Sequence, residues 1–414
     1  MTTVNNQEKK SITFRALAAW LRQRDYTPLL LCWATAVFYC FFCLHIGKSP
    51  TGSSGYFTYT LQAMAWRQGK VSLGHDYPWL ELAVYQGDWY VSFPPVPSVP
   101  LFFLTFLYGD QTPDNLLVKL YVLVGCLSVY GLLKKSGYGK TAAAGFSLPC
   151  SFASCLLALT MEGAVWFQAQ TMAFMLSCLS LYLMHTQKTT LSLLCYALAV
   201  GCRPFNALYG PLLFVLYAEK CRSAGFSLRM AILKILPGVA AGLLVAAAYG
   251  WYNIIRFGNP LEFGHNYLPE FSWQGGIQFS LAHVPQNIKT FVLGLPFSMG
   301  ENGWKLNQFG FSLLLANPAL LLLLIWMLAD MIRKKITLSK FVLALCCLLH
   351  LFLLLLHRTF GGYQFGARYT CDLLPYAAMY FALPGHPRAM LLGEKLLLIS
   401  AAGFAVYGAA ATLL

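Results

Sequence analysis

Apolar runs long enough to cross a lipid bilayer recur along this chain of 414 residues, and they limit its possible folds more than any other feature. A transmembrane helix needs about 20 apolar residues, because only that length spans the hydrocarbon core. The following ranges fit this requirement and are predicted to be membrane helices: 29–46, 115–133, 141–160, 168–185, 229–251, 311–329, 340–357, 373–384 and 396–414.

The stretch 190–218 consists of two shorter apolar halves, 190–202 and 206–218, which Arg203 and Pro204 separate. Proline interrupts a helix because it lacks a backbone N–H. Counted as two short helices, this stretch brings the predicted total to about eleven transmembrane helices. The predicted fold class is therefore an all-α, polytopic integral membrane protein.

The composition agrees with a membrane protein and argues against a soluble one. Hydrophobic residues make up 58% of the chain and charged residues only 11%, whereas soluble domains are about 25% charged. The net charge of +14 could suggest a nucleic-acid partner. The basic residues are scattered over many loops and form no patch, so no nucleic-acid binding is expected.

Charge placement predicts how the chain sits in the membrane. The apolar run 97–108 is short and contains Pro97 and Pro100, so we predict that it lies in the interface. Most basic residues then fall on the side of the N-terminus and most acidic residues on the other side. The positive-inside rule therefore predicts a cytoplasmic N-terminus in the plasma membrane.

The chain shows no internal repeat and no low-complexity linker, so residues 1–414 are predicted to form a single transmembrane domain. Its parts would be a cytoplasmic basic tail (1–28), a large outer loop with interface helices (47–114) and a second large outer loop (252–310). The basic tail, with Arg15 and Arg22, would lie as a short helix on anionic lipid.

The outer loop contains an acidic and aromatic stretch, "HDYPWLELAVYQGDWYVSFPPVPS", from residue 75 to 98. Together with Glu162 of a shorter outer loop, Asp76 and Glu81 are the candidate acid/base groups. A carboxylate close to the membrane face can have a raised pKa and act as a base near neutral pH. For each of them the alternative is a solvated loop carboxylate. His265 is a further candidate, with a hydrogen-bonded loop histidine as its alternative.

Arg203 and Arg368 lie next to apolar segments, where a charge is energetically unfavourable. A charge at membrane depth costs about 2.5–3.5 kcal/mol, so Arg203 needs a partner or a wet cavity. It would bind an anion such as a lipid phosphate, or pair with Glu162 or Asp372. In "GGYQFGARYTCDLLP", Arg368 and Asp372 would form a local ion pair. Alternatively, Arg368 would bind a phosphate beside Tyr369, with Asp372 orienting it.

Several familiar motifs are missing from the sequence. It has no P-loop, no His-Glu-x-x-His, no Gly-x-Ser-x-Gly and no Rossmann fingerprint. Most of the thirteen cysteines lie inside apolar runs, where cysteine behaves as a small hydrophobe. No metal ligands are therefore assigned, and a divalent cation stays open as a cofactor.

The order of these parts resembles the GT-C superfamily of membrane glycosyltransferases, especially bacterial relatives of the protein O-mannosyltransferase and aminoarabinose transferase type. The resemblance covers most of residues 29–384. It rests on one span followed by a long outer loop with "WYVSFPPVPSVPLFFL", on the hairpin broken at Arg203 and Pro204, and on the late "FGARYTCDLLP".

This resemblance implies a transfer at the extracytoplasmic face, from a polyprenyl-phosphate-linked sugar to an unknown glycan, lipid or protein acceptor. Glu162 matches the acid of the second outer loop, and Arg203 and Arg368 match basic residues near the lipid phosphate. The aromatic residues of the first outer loop, including Trp89 and Tyr90, would stack on sugar rings.

The family usually places its catalytic Asp just before the first interface helix, where this chain has Ser53, Ser54 and Gly55. Either Asp76 or Glu81 takes that role, or the chain is an inactive protein that binds lipid phosphate. A lipid or solute transporter or flippase also stays open, because transporters likewise use broken helices and buried arginine.

Overall fold

The computed structural model describes residues 25–269, 278–301 and 303–414. The predicted basic helix of the N-terminal tail lies outside these described residues. Numbered in chain order, the α-helices are α1 (Thr27–His45), α2 (Thr58–Arg67), α3 (Ser98–Tyr108), α4 (Asp114–Lys135), α5 (Lys140–Ser147), α6 (Pro149–Phe152), α7 (Leu156–Met161), α8 (Val165–His185), α9 (Thr189–Val200), α10 (Gly210–Ser223), α11 (Leu228–Phe257), α12 (Val284–Asn287), α13 (Leu313–Ala316), α14 (Pro318–Ile332), α15 (Leu338–Leu356), α16 (Leu374–Ala382) and α17 (Leu392–Leu413).

Six of these helices, α1, α4, α8, α11, α15 and α17, are long and apolar enough to cross a membrane. Helices α9 and α14 are apolar but shorter. The described strands form only two antiparallel hairpins, β1 (Leu82–Tyr85) with β2 (Asp88–Val91) and β3 (Phe297–Gly300) with β4 (Gly303–Leu306). The protein is therefore an all-α, polytopic membrane protein, as predicted, and the count of about eleven spans stays a prediction.

Two predicted spans are broken, and their breaks contact each other. The range 141–160 is divided into α5, α6 and α7, and the range 311–329 into α13 and α14. At the breaks, the backbone N–H of Cys155 donates to the carbonyl oxygen of Ala316 at 3.0 Å. The Cys155 N–H is also 3.2 Å from Oδ1 of Asn317. These bonds satisfy backbone groups that would otherwise be exposed at membrane depth.

The hairpin 190–218 is broken where the sequence predicts it. Helix α9 ends at Val200, Arg203 has an extended backbone, and a 3-10 helix (Pro204–Tyr209) leads into α10. A second 3-10 helix (Arg368–Leu373) precedes α16 in the same way. Both arginines therefore lie at the ends of apolar helices, and their backbones turn there.

The segment 47–114 contains α2, the first hairpin and α3. The run 97–108 forms α3, which is too short to span a bilayer. Ser98 of α3 donates to Oε1 of Gln62 on α2 at 2.7 Å, which fixes the two helices together. The hairpin was not predicted. Its turn residues Gln86 and Gly87 both have positive φ, as two-residue hairpin turns require.

Helix α11 contacts the first hairpin and fixes its position. Its Arg256 is buried and donates from Nη1 to the carbonyl oxygen of Val91 at 2.7 Å. At the other side, α11 packs on α9 through Gly238, where a Cβ would lie 2.8 Å from Leu193. The small glycine surface allows the close helix packing that membrane helices favour.

Candidate active site at two adjoining cavities

Two cavities adjoin at the end of the helix bundle that carries the first hairpin. Cavity A has a volume of about 440 Å³, and its walls include Phe93, Arg203, His265, His357 and Tyr369. Cavity B has a volume of about 380 Å³, and its walls include Lys48, Tyr56, Glu162 and Gln364. The residues that line both cavities are Glu81, Trp166, Gly362 and Arg368.

Glu81 is the sequence-predicted acid/base candidate that lies between the cavities. It directly precedes β1, so the hairpin fixes its backbone, and its side chain is exposed to the cavities. Its Oε2 accepts a hydrogen bond of 2.9 Å from the indole Nε1 of Trp166, at the start of α8. A carboxylate therefore stands where molecules from both cavities can meet.

Arg368 is a buried cation that faces the same junction. Its side chain is 6% exposed, and its Nε has no hydrogen-bond partner among the described residues. Its backbone is held on both sides: its N–H donates to Oε1 of Gln364 at 3.0 Å, and its carbonyl accepts from Gln170 at 2.9 Å. The guanidinium lies 5.2 Å from the ring centre of Tyr369.

No carboxylate among the described residues forms an ion pair with Arg368. The ion pair between Arg368 and Asp372, one of the two alternatives from the sequence, is therefore not formed. A buried, charged group with an unpaired donor is costly unless it meets an anion. Glycine at position 361 makes room for this guanidinium, because a Cβ there would lie 2.6 Å from its Nε.

Arg203 has the partner that the sequence offered as one alternative. Its Nε lies 3.0 Å from Oδ2 of the buried Asp372, and its guanidinium lies 4.7 Å from the ring centre of Tyr369. Burial raises the pKa of Asp372, and the charge of Arg203 opposes that rise. Arg203 still lines cavity A. It therefore adds positive charge to the cavity while Asp372 fixes its position.

Glu162 belongs to cavity B and is paired there. Its Oε2 lies 3.1 Å from Nζ of Lys48, which follows α1. The loop between α7 and α8 that carries Glu162 is held by Asn115, whose Oδ1 accepts from the N–H of Gly163 at 2.6 Å. Lys48 was not singled out in the sequence, and its signal is only a basic residue directly after the first span.

Other predicted site residues lie away from the cavities. Asp76 is exposed and lines neither cavity. Trp89 and Tyr90 belong to β2 and line neither cavity; the Tyr90 ring instead packs 5.4 Å from that of Phe257. The proposed stacking of sugar rings on this part of the outer loop thus gains no support from the cavity walls.

The structure adds functional candidates that sequence reasoning missed, namely Trp166 and His357. His265 was a candidate, and it forms the hydrogen bond expected of a loop histidine: its Nδ1 donates to the carbonyl oxygen of Ser92 at 2.9 Å. Burial lowers the pKa of His265. His265 is therefore neutral at physiological pH and contributes no charge to cavity A.

The charged groups around the two cavities indicate which kind of ligand they could hold. Among the described residues, no three His, Cys, Asp or Glu side chains cluster closely enough to hold one. The cations that face the cavities are instead Lys48, Arg203 and Arg368. This donor set fits an anionic ligand.

Comparisons with solved structures show that this chain shares its fold with known membrane proteins. The archaeal oligosaccharyltransferase AglB from Archaeoglobus fulgidus, solved with an inhibitory peptide and a dolichol-phosphate, matches at a TM-score of 0.51 and 12% identity over 92% of this chain. ArnT from Cupriavidus metallidurans bound to undecaprenyl phosphate matches at a TM-score of 0.51 and 13% identity over 90% of this chain. The same protein in its apo state gives a TM-score of 0.52 over 96% of this chain.

The chain has the GT-C fold. It covers 55% of the AglB chain and 62% and 77% of the two ArnT chains, so it spans little more than half of the larger relative. No protein-family model and no curated protein sequence matches it. This shared fold confirms the fold that the sequence resemblance implied, and the roles of individual residues stay proposals.

Proposed function

We propose that this protein is a membrane glycosyltransferase that moves a sugar from a polyprenyl-phosphate carrier to an acceptor at the extracytoplasmic face. The observation that carries the proposal is that Glu81 and Arg368 line both cavities. A transferase needs a base at the acceptor and a cation at the leaving phosphate, and both groups must reach one reacting carbon.

Cavity A suits the carrier. Arg203 and Arg368 supply positive charge, and aromatic rings such as Phe205 and Phe279 supply apolar walls. A lipid phosphate needs both kinds of surface. The buried Nε of Arg368 gives the phosphate a donor that is already desolvated, and such charge-assisted hydrogen bonds are about twice as strong as neutral ones. ArnT and AglB were each solved with a polyprenyl phosphate, which supports this class of donor.

Cavity B would receive the acceptor, and Glu81 would deprotonate it. The acceptor oxygen or nitrogen attacks the anomeric carbon of the sugar, and its proton passes to the Glu81 carboxylate. The bond between that carbon and the phosphate oxygen breaks, and the polyprenyl phosphate leaves with the electron pair. Arg368 and Arg203 stabilise the charge that develops on the phosphate. Asp76, which lines neither cavity, takes no part.

The proposed orientation follows from charge. Loops at the end opposite the cavities carry basic pairs such as Lys134 with Lys135 and Lys334 with Lys335. The positive-inside rule favours the cytoplasm for such loops, so the cavities would open on the extracytoplasmic side of a plasma membrane.

The test is to reconstitute the purified protein in lipid and follow radiolabelled polyprenyl-phosphate hexose. The wild type should bind the carrier and release or transfer its sugar. Arg368→Ala should weaken carrier binding at least about tenfold, because a charge-assisted bond contributes about 1.5–3 kcal/mol. Lys305→Ala on the exposed β4 removes a cation outside both cavities and is the matched control.

Two outcomes would redirect the proposal. Carrier binding that depends on Arg368 without any turnover would make this an inactive protein that binds lipid phosphate. No carrier binding by the wild type would overturn the proposal and return attention to a transporter.

A further inference from the structure

The indole of Trp166 lines both cavities and contacts the proposed base. Its Nε1 lies 2.9 Å from Oε2 of Glu81. Its ring centre lies 5.0 Å from that of Tyr56, a wall of cavity B. The Arg368 guanidinium lies 5.9 Å from the indole ring centre. One side chain therefore touches the base and faces the cation that would hold the leaving phosphate.

The backbone that carries this indole is held by its neighbours. Trp166 is the second residue of α8, and the preceding Val165 donates its N–H to the carbonyl oxygen of Tyr56 at 3.1 Å. Gly163 packs directly on Asp114, where a Cβ would lie 2.5 Å from the backbone carbon. The start of α8 is thus fixed to both α4 and the segment before α2. These contacts fix the backbone of Trp166, and the bond to Glu81 gives the direction of its indole N–H.

An indole suits the task of orienting a carboxylate. Its N–H only donates, and it neither accepts nor releases a proton in the working pH range, so it does not compete with the base. A hydrogen bond donated to a carboxylate favours the charged form. The charged form is the one that a general base needs before it meets its acceptor.

We propose that Trp166 is a positioning residue of the transfer reaction, which holds the Glu81 carboxylate ionised and aimed at the junction of the two cavities. This inference rests on the proposed function, because it assigns Trp166 a role through Glu81. The indole would at the same time form the partition that keeps carrier and acceptor in separate cavities until both are bound.

Other charged or titratable groups line one cavity or both. Lys48 follows α1, Glu162 lies in the α7–α8 loop, and Arg203 follows α9. His265 and Arg368 each begin a 3-10 helix, and His357 follows α15. A substitution at position 166 leaves all of them in place. A change in pH dependence in such a variant therefore reports the lost indole N–H.

The test is Trp166→Phe, which keeps an aromatic ring and removes the N–H. The acidic limb of its transfer profile against pH should move up by about one pH unit, which is a tenfold change in the protonation equilibrium. At a pH below that limb, kcat should fall on the order of tenfold. The KM for the carrier should stay within about twofold, because Arg203 and Arg368 remain.

Trp304→Phe is the control, since that indole is 69% exposed on β4 and lines neither cavity. Carrier binding by Trp166→Phe shows that the variant is folded. If it does not bind, Trp166→Tyr replaces it, because a phenol retains a donor and should preserve the acidic limb of the wild-type pH profile more closely.

A double variant tests whether the two residues act together. In Glu81→Gln protein, Trp166→Phe should cause no further loss of kcat, because the two residues act as one unit.

An unchanged pH profile in a folded Trp166→Phe variant would overturn the inference and leave the proposed function standing. Additive losses in the double variant would do the same. A wild type that binds carrier without turnover would instead remove the proposed function, and the role of Trp166 with it.

Discussion

Arg203 and Arg368 both line cavity A, yet their surroundings differ in a way that separates their roles. Arg203 is ion-paired with Asp372, whereas the Nε of Arg368 is buried without a hydrogen-bond partner among the described residues. An ion pair fixes an arginine and compensates part of its burial. An unpaired buried donor is the one that gains most from an incoming phosphate. Arg368 is therefore the residue on which carrier affinity should depend most.

The pair also predicts a stability effect. Asp372→Asn keeps the side-chain shape but leaves Arg203, whose side chain is 22% exposed, without its ionic partner. The free energy of unfolding should fall by about 1–3 kcal/mol, because the pair is buried at Asp372 and only partly buried at Arg203. Unfolding by SDS in mixed micelles measures this change in free energy. Lys305→Ala is the control and should change the free energy of unfolding only slightly. An equal stability of Asp372→Asn and wild type would show that the pair does not hold Arg203.

At the scale of elements, the start of α8 is the part on which the site depends most. The loop before it carries Glu162, and its second residue is Trp166, so a shift of this helix would move both cavity walls. Gly163 fixes the position of the loop, because it packs against the first residue of α4. Glycine is required there by the lack of space and not by backbone conformation.

Gly163→Ala should therefore destabilise the protein and reduce transfer. The added Cβ would lie 2.5 Å from the Asp114 backbone carbon, which must shift to admit it. Overpacking of this kind costs about 1–3 kcal/mol. Gly393→Ala, at the start of α17, meets nothing within 4 Å and is the matched control. The measurements are the thermal unfolding temperature and the rate of sugar transfer of both variants. Equal values for Gly163→Ala and Gly393→Ala would mean that α8 tolerates the displacement.

The sequence predicts the long helices because the thickness of a bilayer sets both their length and their apolar character. It also predicts the break at Arg203 and Pro204. It does not predict the breaks near Cys155 and Asn317, because the bonds that stabilise them join residues 162 positions apart. The ion pairs of the two arginines are likewise set by contacts between distant residues. From the sequence, Asp372 could pair with Arg203 or with Arg368, and the structure shows the pair with Arg203.

The small hairpins were missed for a related reason. The turn of the first hairpin, within residues 82–91, is Gln86-Gly87, which predicts a hairpin less strongly than Asn-Gly does. The acidic and aromatic residues around it were interpreted as candidate site residues. The hairpin matters because it places Glu81 beside the cavities and turns Trp89 and Tyr90 away from them.

At the scale of the whole molecule, the account requires that the cavities and the basic loops lie on opposite sides of the membrane. Ser298 on β3 is exposed at the cavity end, and Ser223 ends α10 at the other end. In intact cells, a membrane-impermeant maleimide should label Ser298→Cys and leave Ser223→Cys unlabelled until the cells are opened. Labelling in the reverse order would contradict the proposed orientation and place transfer in the cytoplasm.

The proposed mechanism depends on Glu81 as the base between a carrier cavity and an acceptor cavity. The most direct measurement compares Glu81→Gln with wild type for both sugar transfer and carrier binding in lipid. A general base contributes about 10²–10⁴ in rate, so transfer should fall by that factor while carrier affinity stays within about twofold. Near-full transfer by Glu81→Gln, or a parallel loss of carrier binding, would contradict the account.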